Sequence, residues 1–234
     1  MNGPLPHPGS ISKAHTSSVS LRAVPRVINC VIPAPLGFAA DGTALHSRDL
    51  SYGVELMRLA RDSEVISPRC RLRYPSRADF PHIWSASRVA GFNDGMLWDP
   101  PEDEAELEEA LLQSQARWQA GTAYSWTIEA LEDTAFLGRI GIRQEAEAGE
   151  WSIGYWIHPE RQGAGFATEA AQAVVTFGFE HLGAALITAA CATWNHASMR
   201  VLERIGMQAV RTNPKGFKKR GAWVEEIEFE LRRA

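Results

Sequence analysis

The sequence predicts a mixed α/β domain containing an antiparallel strand meander, and three observations carry that prediction. Three strand-like segments follow one another in quick succession at 124–131, 135–143 and 150–158. The links between them, EDT and QEAEAG, are too short for crossover helices and so imply antiparallel pairing. Segments of helical and strand character then alternate to the C-terminus, and no internal repeat is present.

In RCRLRYPSR the arginines at 69, 71 and 73 alternate with Cys70, Leu72 and Tyr74, the period-two pattern of a half-buried strand whose arginines form the wet face. Asp79 opens a helix expected to run to about Gly91, and after DPPEDE a second helix over 103–118 carries acidic residues in its first turn, where the helix dipole favours them. The three meander strands come next. Behind the glycines at 163 and 165 a helix is expected to about His181, followed by the apolar strand LITAACAT at 186–193. A helix from Asn195 to Ile205 is ended by Gly206. Two last strands, 207–211 and 222–231, flank a basic loop, NPKGFKKRG.

Residues 1–56 read differently. Six of the thirteen prolines lie in the first 50 residues, serines are frequent, and no helical or strand period persists. These residues are expected to be a poorly ordered arm, or no part of the native protein, with Met57 as an alternative start, and the folded domain to occupy 65–234. The apolar stretch VINCVIPAPLGFAA begins too late and holds too many prolines to be a signal peptide.

Composition narrows the function classes. The formal net charge of −4 leaves no basic footprint for nucleic acid, and no apolar run of about 18 residues is present to span a membrane. Three widely spaced cysteines, Cys30, Cys70 and Cys191, form neither a disulfide framework nor a zinc motif, which points to a reducing cytoplasm and no metal.

The richest motif is HPERQGAGFATEAA at 158–171. A turn that joins a strand to a helix offers unpaired N–H groups at the positive end of the helix dipole, and glycines let an anion approach the backbone. A simple chain reversal is the alternative reading. A Walker turn is excluded because no Lys-Ser or Lys-Thr follows the glycines, and a dinucleotide fingerprint because Thr168 stands where a third glycine belongs.

Gln162-Gly163-Ala164-Gly165-Phe166-Ala167 resembles the Q/R-x-x-G-x-G/A acyl-CoA signature of the GNAT superfamily of N-acetyltransferases. GYWIHPERQGAGFATEA is similar to the family's ribosomal-protein alanine acetyltransferase branch, the RimJ/RimL-like enzymes. The likeness runs from about Ser67 to the C-terminus through RCRLRYPSRADF, LGRIGI and NHASMRVLERIGM. It implies a mostly antiparallel sheet splayed open at an acetyl-CoA site between the strand EWSIGYWIH and the strand LITAACAT. The pyrophosphate would lie on the backbone of Gln162, Gly163, Ala164, Gly165, Phe166 and Ala167, the pantetheine would pair with the backbone of Ile157 and His158, and Asn195 would hydrogen-bond it or cap its own helix.

The activity implied is direct transfer of acetyl to an amine, foremost a protein N-terminal α-amine. A small amine such as an aminoglycoside or polyamine is the alternative acceptor, and a non-catalytic acyl-CoA-binding module the alternative class. A homodimer is left open. Many relatives place a tyrosine seven residues after the asparagine, where this chain has Leu202. Ser198 is the candidate for bonding the departing sulfur, or else bonds within its helix. Glu150 is the candidate base, or a plain surface carboxylate. The basic loop is read as a CoA phosphate contact or a solvated hairpin, and Trp84, Trp98 and Trp126 as acceptor-cleft walls or core.

Overall fold

The computed structural model describes residues 59–233, so the arm expected over 1–56 lies outside the described residues. The elements are β1 (Val65–Ile66), β2 (Cys70–Arg73), α1 (Phe80–Ser87), α2 (Glu104–Ala120), β3 (Ala123–Ala130), β4 (Phe136–Gln144), β5 (Glu150–Ile157), α3 (Phe166–His181), β6 (Leu186–Ala192), α4 (His196–Arg204), β7 (Gln208–Lys219) and β8 (Ala222–Arg232). They build one sheet in the order β1-β2-β3-β4-β5-β6-β8-β7. β3, β4 and β5 form the expected meander, and β5 with β6 is the parallel pair, joined through α3.

Local chemistry explains the helix limits. Asp103 caps α2 by accepting from the Glu106 N–H, Glu104 and Glu106 occupy its first turn, and Gly121 closes it in the left-handed conformation at φ 75°. α1 is shorter than expected and ends at Ser87, after which the chain runs through turns to α2.

Two layers cover the sheet. On one face Trp126, Ile140, Ile142 and Phe229 meet Val174 and Phe177 of α3 and Leu202 of α4. On the other, Phe136 and Trp156 meet Phe80 and Ile83 of α1 and Leu107 and Leu111 of α2.

Two expectations need correction. The arginines of β2 are not simply a wet face: Arg73 binds both Asp79 and Glu129, Arg71 binds Glu129, and the Thr127 hydroxyl donates to Asp79 at 2.7 Å. Asp79 and Glu129 are buried, so the alternation recorded strand geometry while the charges are held inward by partners. The basic segment NPKGFKKRG is likewise no open loop, because β7 continues through it to Lys219 and turns at Arg220-Gly221, both at positive φ (48° and 82°), as tight hairpins require. Ladder irregularities at Ala209/Arg211 and Asn213/Phe217 hid that strand from a period-two reading.

Candidate functional site

The central sheet opens where its parallel pair fails. β5 and β6 are in register only at Glu150↔Leu186, Trp151↔Ile187 and Ser152↔Thr188. Beyond Ser152, β5 stays on β4 as far as Ile157 while β6 stays on β8 as far as Ala192, so the strands part. The His158 N–H donates to the Leu137 carbonyl at 2.8 Å, and by alternation Trp156 also faces β4. The N–H groups of Tyr155 and Ile157 therefore point into the gap. A cleft of about 1300 Å³ fills it and passes between the helical layers.

At one mouth of the cleft lies the glycine turn. Gly163 and Gly165 take φ 82° and 85°, which side chains with a Cβ adopt only under strain. Gly165 is the N-cap of α3 and offers no side-chain cap, leaving the first N–H groups of the helix without an intrahelical acceptor. The turn is braced from both sides. The Gln162 side-chain amide donates to the Ile157 carbonyl at 3.1 Å, and Arg69 donates to the Ala164 carbonyl at 3.1 Å, lies 4.7 Å over the Phe166 ring and pairs with Glu169 at 2.8 Å. Burial alone would raise the Glu169 carboxyl, but hydrogen bonds from Ser67 and Arg69 outweigh it and hold it below the usual carboxylate range. This turn suits an anionic, phosphate-bearing ligand.

Deeper in, α4 faces β5. The Asn195 Oδ1 accepts from the Ser198 N–H at 3.1 Å, so the N-cap role is present, while its amide nitrogen stays free of that bond. The Ser198 Oγ is 2.9 Å from the Tyr155 hydroxyl, which also reaches the Ser198 carbonyl at 3.3 Å. Cys191 of β6 lies on the same side of the cleft, and burial pushes its thiol up to about 11. Burial likewise raises the Tyr155 phenol, so both groups stay neutral near pH 7.

The opposite face of the cleft is bounded by residues 89–98, between α1 and α2. Phe92, Trp98 and Trp156 meet with ring centroids 5.4–6.2 Å apart. This segment is fastened to the β7–β8 hairpin: Lys219, which is buried, donates to the carbonyls of Met96 (3.1 Å) and Trp98 (2.7 Å) and pairs with Asp99 at 2.8 Å, and Arg220 pairs with Asp94 at 2.9 Å.

Of the residues singled out from sequence, Ile157, Gln162, Gly163, Gly165, Phe166, Ala167, Asn195 and Ser198 line the cleft. Three do not. Ala164 turns its carbonyl to Arg69; His158 is buried with Nε2 3.0 Å from the Ser85 hydroxyl, and its backbone amide is spent on β4. Glu150 stands at the closed end of the split, five residues from Tyr155 or about 17 Å at roughly 3.3 Å per strand residue. Trp98 lines the cleft, whereas Trp126 is core against Phe177 and Trp84 stacks under Arg88. Sequence reading missed Tyr155, Arg69 and Lys219. Tyr155 shares its strand face with Ile153 and Ile157, a period-two signal that was available; the other two need tertiary contacts.

Among the described residues no group of three or more His, Cys, Asp or Glu is placed to hold a metal, and no helix is long and apolar enough to cross a membrane.

A family model described as acetyltransferase (GNAT) domain matches residues 69–208. The chain is similar to the uncharacterised N-acetyltransferase YoaA of Bacillus subtilis (strain 168), 35% identical over 111 residues, which are 46% of this chain and 63% of YoaA. It thus spans less than two thirds of that relative's length. Three solved structures share the fold. RimL, a ribosomal L7/L12 α-N-protein acetyltransferase in complex with coenzyme A, aligns at TM-score 0.65 and 19% identity over 71% of this chain and 96% of that one. RimJ of Mycobacterium smegmatis in complex with CoA-disulfide aligns at 0.59 and 23% over 70% and 81%. The microcin C7 self-immunity acetyltransferase MccE, in complex with acetyl-CoA and AMP, aligns at 0.64 and 18% over 71% and 93%.

Proposed function

The chain belongs to the GNAT acetyltransferase family, and from that premise we propose that it transfers the acetyl group of acetyl-CoA directly to an amine, foremost the N-terminal α-amine of a protein. The observation that carries the reading is the split between β5 and β6, with an uncapped helix start at its mouth and free strand N–H groups along one wall. The fit to acetyl-CoA is chemical. A pyrophosphate takes the N–H groups of the turn from Gln162 to Ala167, and an amide-bearing pantetheine takes the exposed edge of β5. On that edge Tyr155 and Ile157 supply the donors in place of His158, and Asn195 has an amide N–H₂ left to give.

Bound acetyl-CoA supplies an activated thioester. The residues of this chain hold and polarise it: a β5 N–H facing the cleft donates to the carbonyl oxygen as negative charge develops there, and the Ser198 hydroxyl, held by Tyr155, donates to the departing sulfur. The amine is the nucleophile, so no acyl-enzyme is needed. The likeness to RimL and RimJ supports a protein N-terminus as acceptor, and the likeness to MccE supports a small-molecule amine as the second reading. The buried, unbridged Cys70 and Cys191 support a cytoplasmic setting.

The test is amine-dependent release of free CoA thiol from acetyl-CoA across a panel of peptides with free N-termini and small amines. Release with peptides above all is expected. Release only with small amines would select the second reading, and no release with any acceptor would contradict an acetyltransferase.

A further inference from the structure

Four carboxylates line the cleft: Glu145, Glu226, Glu228 and Glu230. Three have cations. Glu145 pairs with Arg143 at 2.9 Å, Glu228 with Arg211 at 2.7 Å and Glu230 with Arg232 at 2.9 Å. Glu226 has no ion pair among the described residues, although it is half-buried.

The strand registers say where Glu226 stands. Continuing the parallel β5–β6 register from Ser152↔Thr188 sets Tyr155 level with Cys191 and Trp156 level with Ala192, and Ala192 pairs with Glu226. Because side chains alternate, Tyr155 and Cys191 share the α4 face with Ser198, while Trp156 on β5 and Glu226 on β8, with β6 between their strands, share the other face. The carboxylate lies close against the β7 backbone: a Cβ at Gly216 would fall 2.3 Å from its Oε2. At one level of the split, then, the sulfur-side hydroxyls face one layer, and an indole and an uncompensated carboxylate face the other. A half-buried carboxylate that lines the cleft and has no cation of its own is suited to receive an ammonium group.

Resting on the acetyltransferase reading, we propose that Glu226 is the catalytic base of this enzyme: it anchors the acceptor's ammonium in the cleft and removes its proton, so the acceptors are cationic primary amines. The ammonium proton passes to Glu226 and on to solvent. The nitrogen lone pair then forms the N–C bond to the thioester carbonyl, the C–S bond breaks with its electron pair going to sulfur, and the second nitrogen proton ends on the thiol. Burial first, and the neighbouring Glu228 second, raise the Glu226 carboxyl above its ordinary range, which suits a base more than a spectator. The residue replaces Glu150, which the fold leaves at the closed end of the split.

The experiment compares the parent, Glu226→Gln and Glu226→Asp in the full chain. Acetyl-CoA binding is measured by calorimetry, and thiol release is followed with an alanine-initiated hexapeptide, spermidine and hydroxylamine, a nucleophile that is uncharged at neutral pH. Glu226→Gln is expected to bind acetyl-CoA as the parent does, to lose about a hundredfold or more in kcat/KM with the two cationic amines, and to keep its hydroxylamine rate within about threefold. A merely structural role would lower all three rates together and overturn the proposal, as would peptide and spermidine rates that stay at the parent level. If the glutamine variant fails to fold, Glu226→Asp decides by the same comparison of charged and uncharged nucleophiles. A parent chain that fails to bind acetyl-CoA would instead overturn the acetyltransferase reading on which Glu226 rests.

Discussion

The Tyr155 hydroxyl lies 2.9 Å from the Ser198 Oγ, joining β5 to the first turn of α4 across the split in the sheet. In the proposed reaction Ser198 donates to the departing sulfur, and Leu202, seven residues after Asn195, is buried and carries no hydroxyl. Tyr155 is therefore expected to orient the Ser198 hydroxyl. Tyr155→Phe and Ser198→Ala should each lower kcat about tenfold with the acetyl-CoA KM unchanged, and the double variant should be no worse than either, since coupled residues are non-additive. Steady-state kinetics of the cycle checks this, and fully additive losses would separate the two roles.

Gly165 ties the cradle to a left-handed backbone at φ 85°. Gly165→Trp forces a large side chain onto a conformation that costs an L-residue about 1–2 kcal/mol, and it remodels the N–H groups that would hold a pyrophosphate. Acetyl-CoA affinity should fall by about tenfold or more, since each 1.4 kcal/mol is tenfold. Calorimetry is the readout, and parent-like affinity would remove the turn from the site.

Lys219 holds the wall formed by residues 89–98 through the Met96 and Trp98 carbonyls. Lys219→Met keeps the aliphatic stem but frees that wall. The acceptor KM should rise several-fold while acetyl-CoA affinity is preserved, because the wall bounds the face of the cleft away from the glycine turn. A parallel loss of both would show the wall to be general scaffolding.

Asp79 links β2, β3 and the start of α1. Burial alone would raise its carboxyl, but the Arg73 hydrogen bond and the charges of Arg139 and Arg73 hold it below the ordinary value. With the folded pKa depressed, the unfolded chain binds more protons as pH falls, so this stabilisation is present at neutral pH and is lost below the ordinary carboxylate range. Asp79→Asn should destabilise the domain by about 3 kcal/mol, as expected when a buried pair loses one partner, and should flatten the acid side of a plot of Tm against pH.

The fold was legible because meander strands and capped helices are written locally: short links in the sequence, Asp103 ahead of an acidic first turn, Gly206 after α4. The glycine turn was legible for the same reason. What escaped was tertiary. The β2 arginines read as solvated because alternation reports the side of a strand and not what covers it. The segment NPKGFKKRG shows no strand period because its ladder is irregular, so the sequence puts Lys219 in a loop, as a CoA phosphate contact or a solvated residue, whereas in the fold it fastens a wall. Glu150 and Glu226 show the limit most clearly, since only the point where β5 leaves β6 determines which carboxylate lies in the cleft, and no local pattern marks that point.

The most direct test of the central claim, that the β5–β6 split holds acetyl-CoA, is a calorimetric titration of the full chain with acetyl-CoA. One saturable site per chain, competed by free CoA, is the predicted result. No saturable heat would contradict the account.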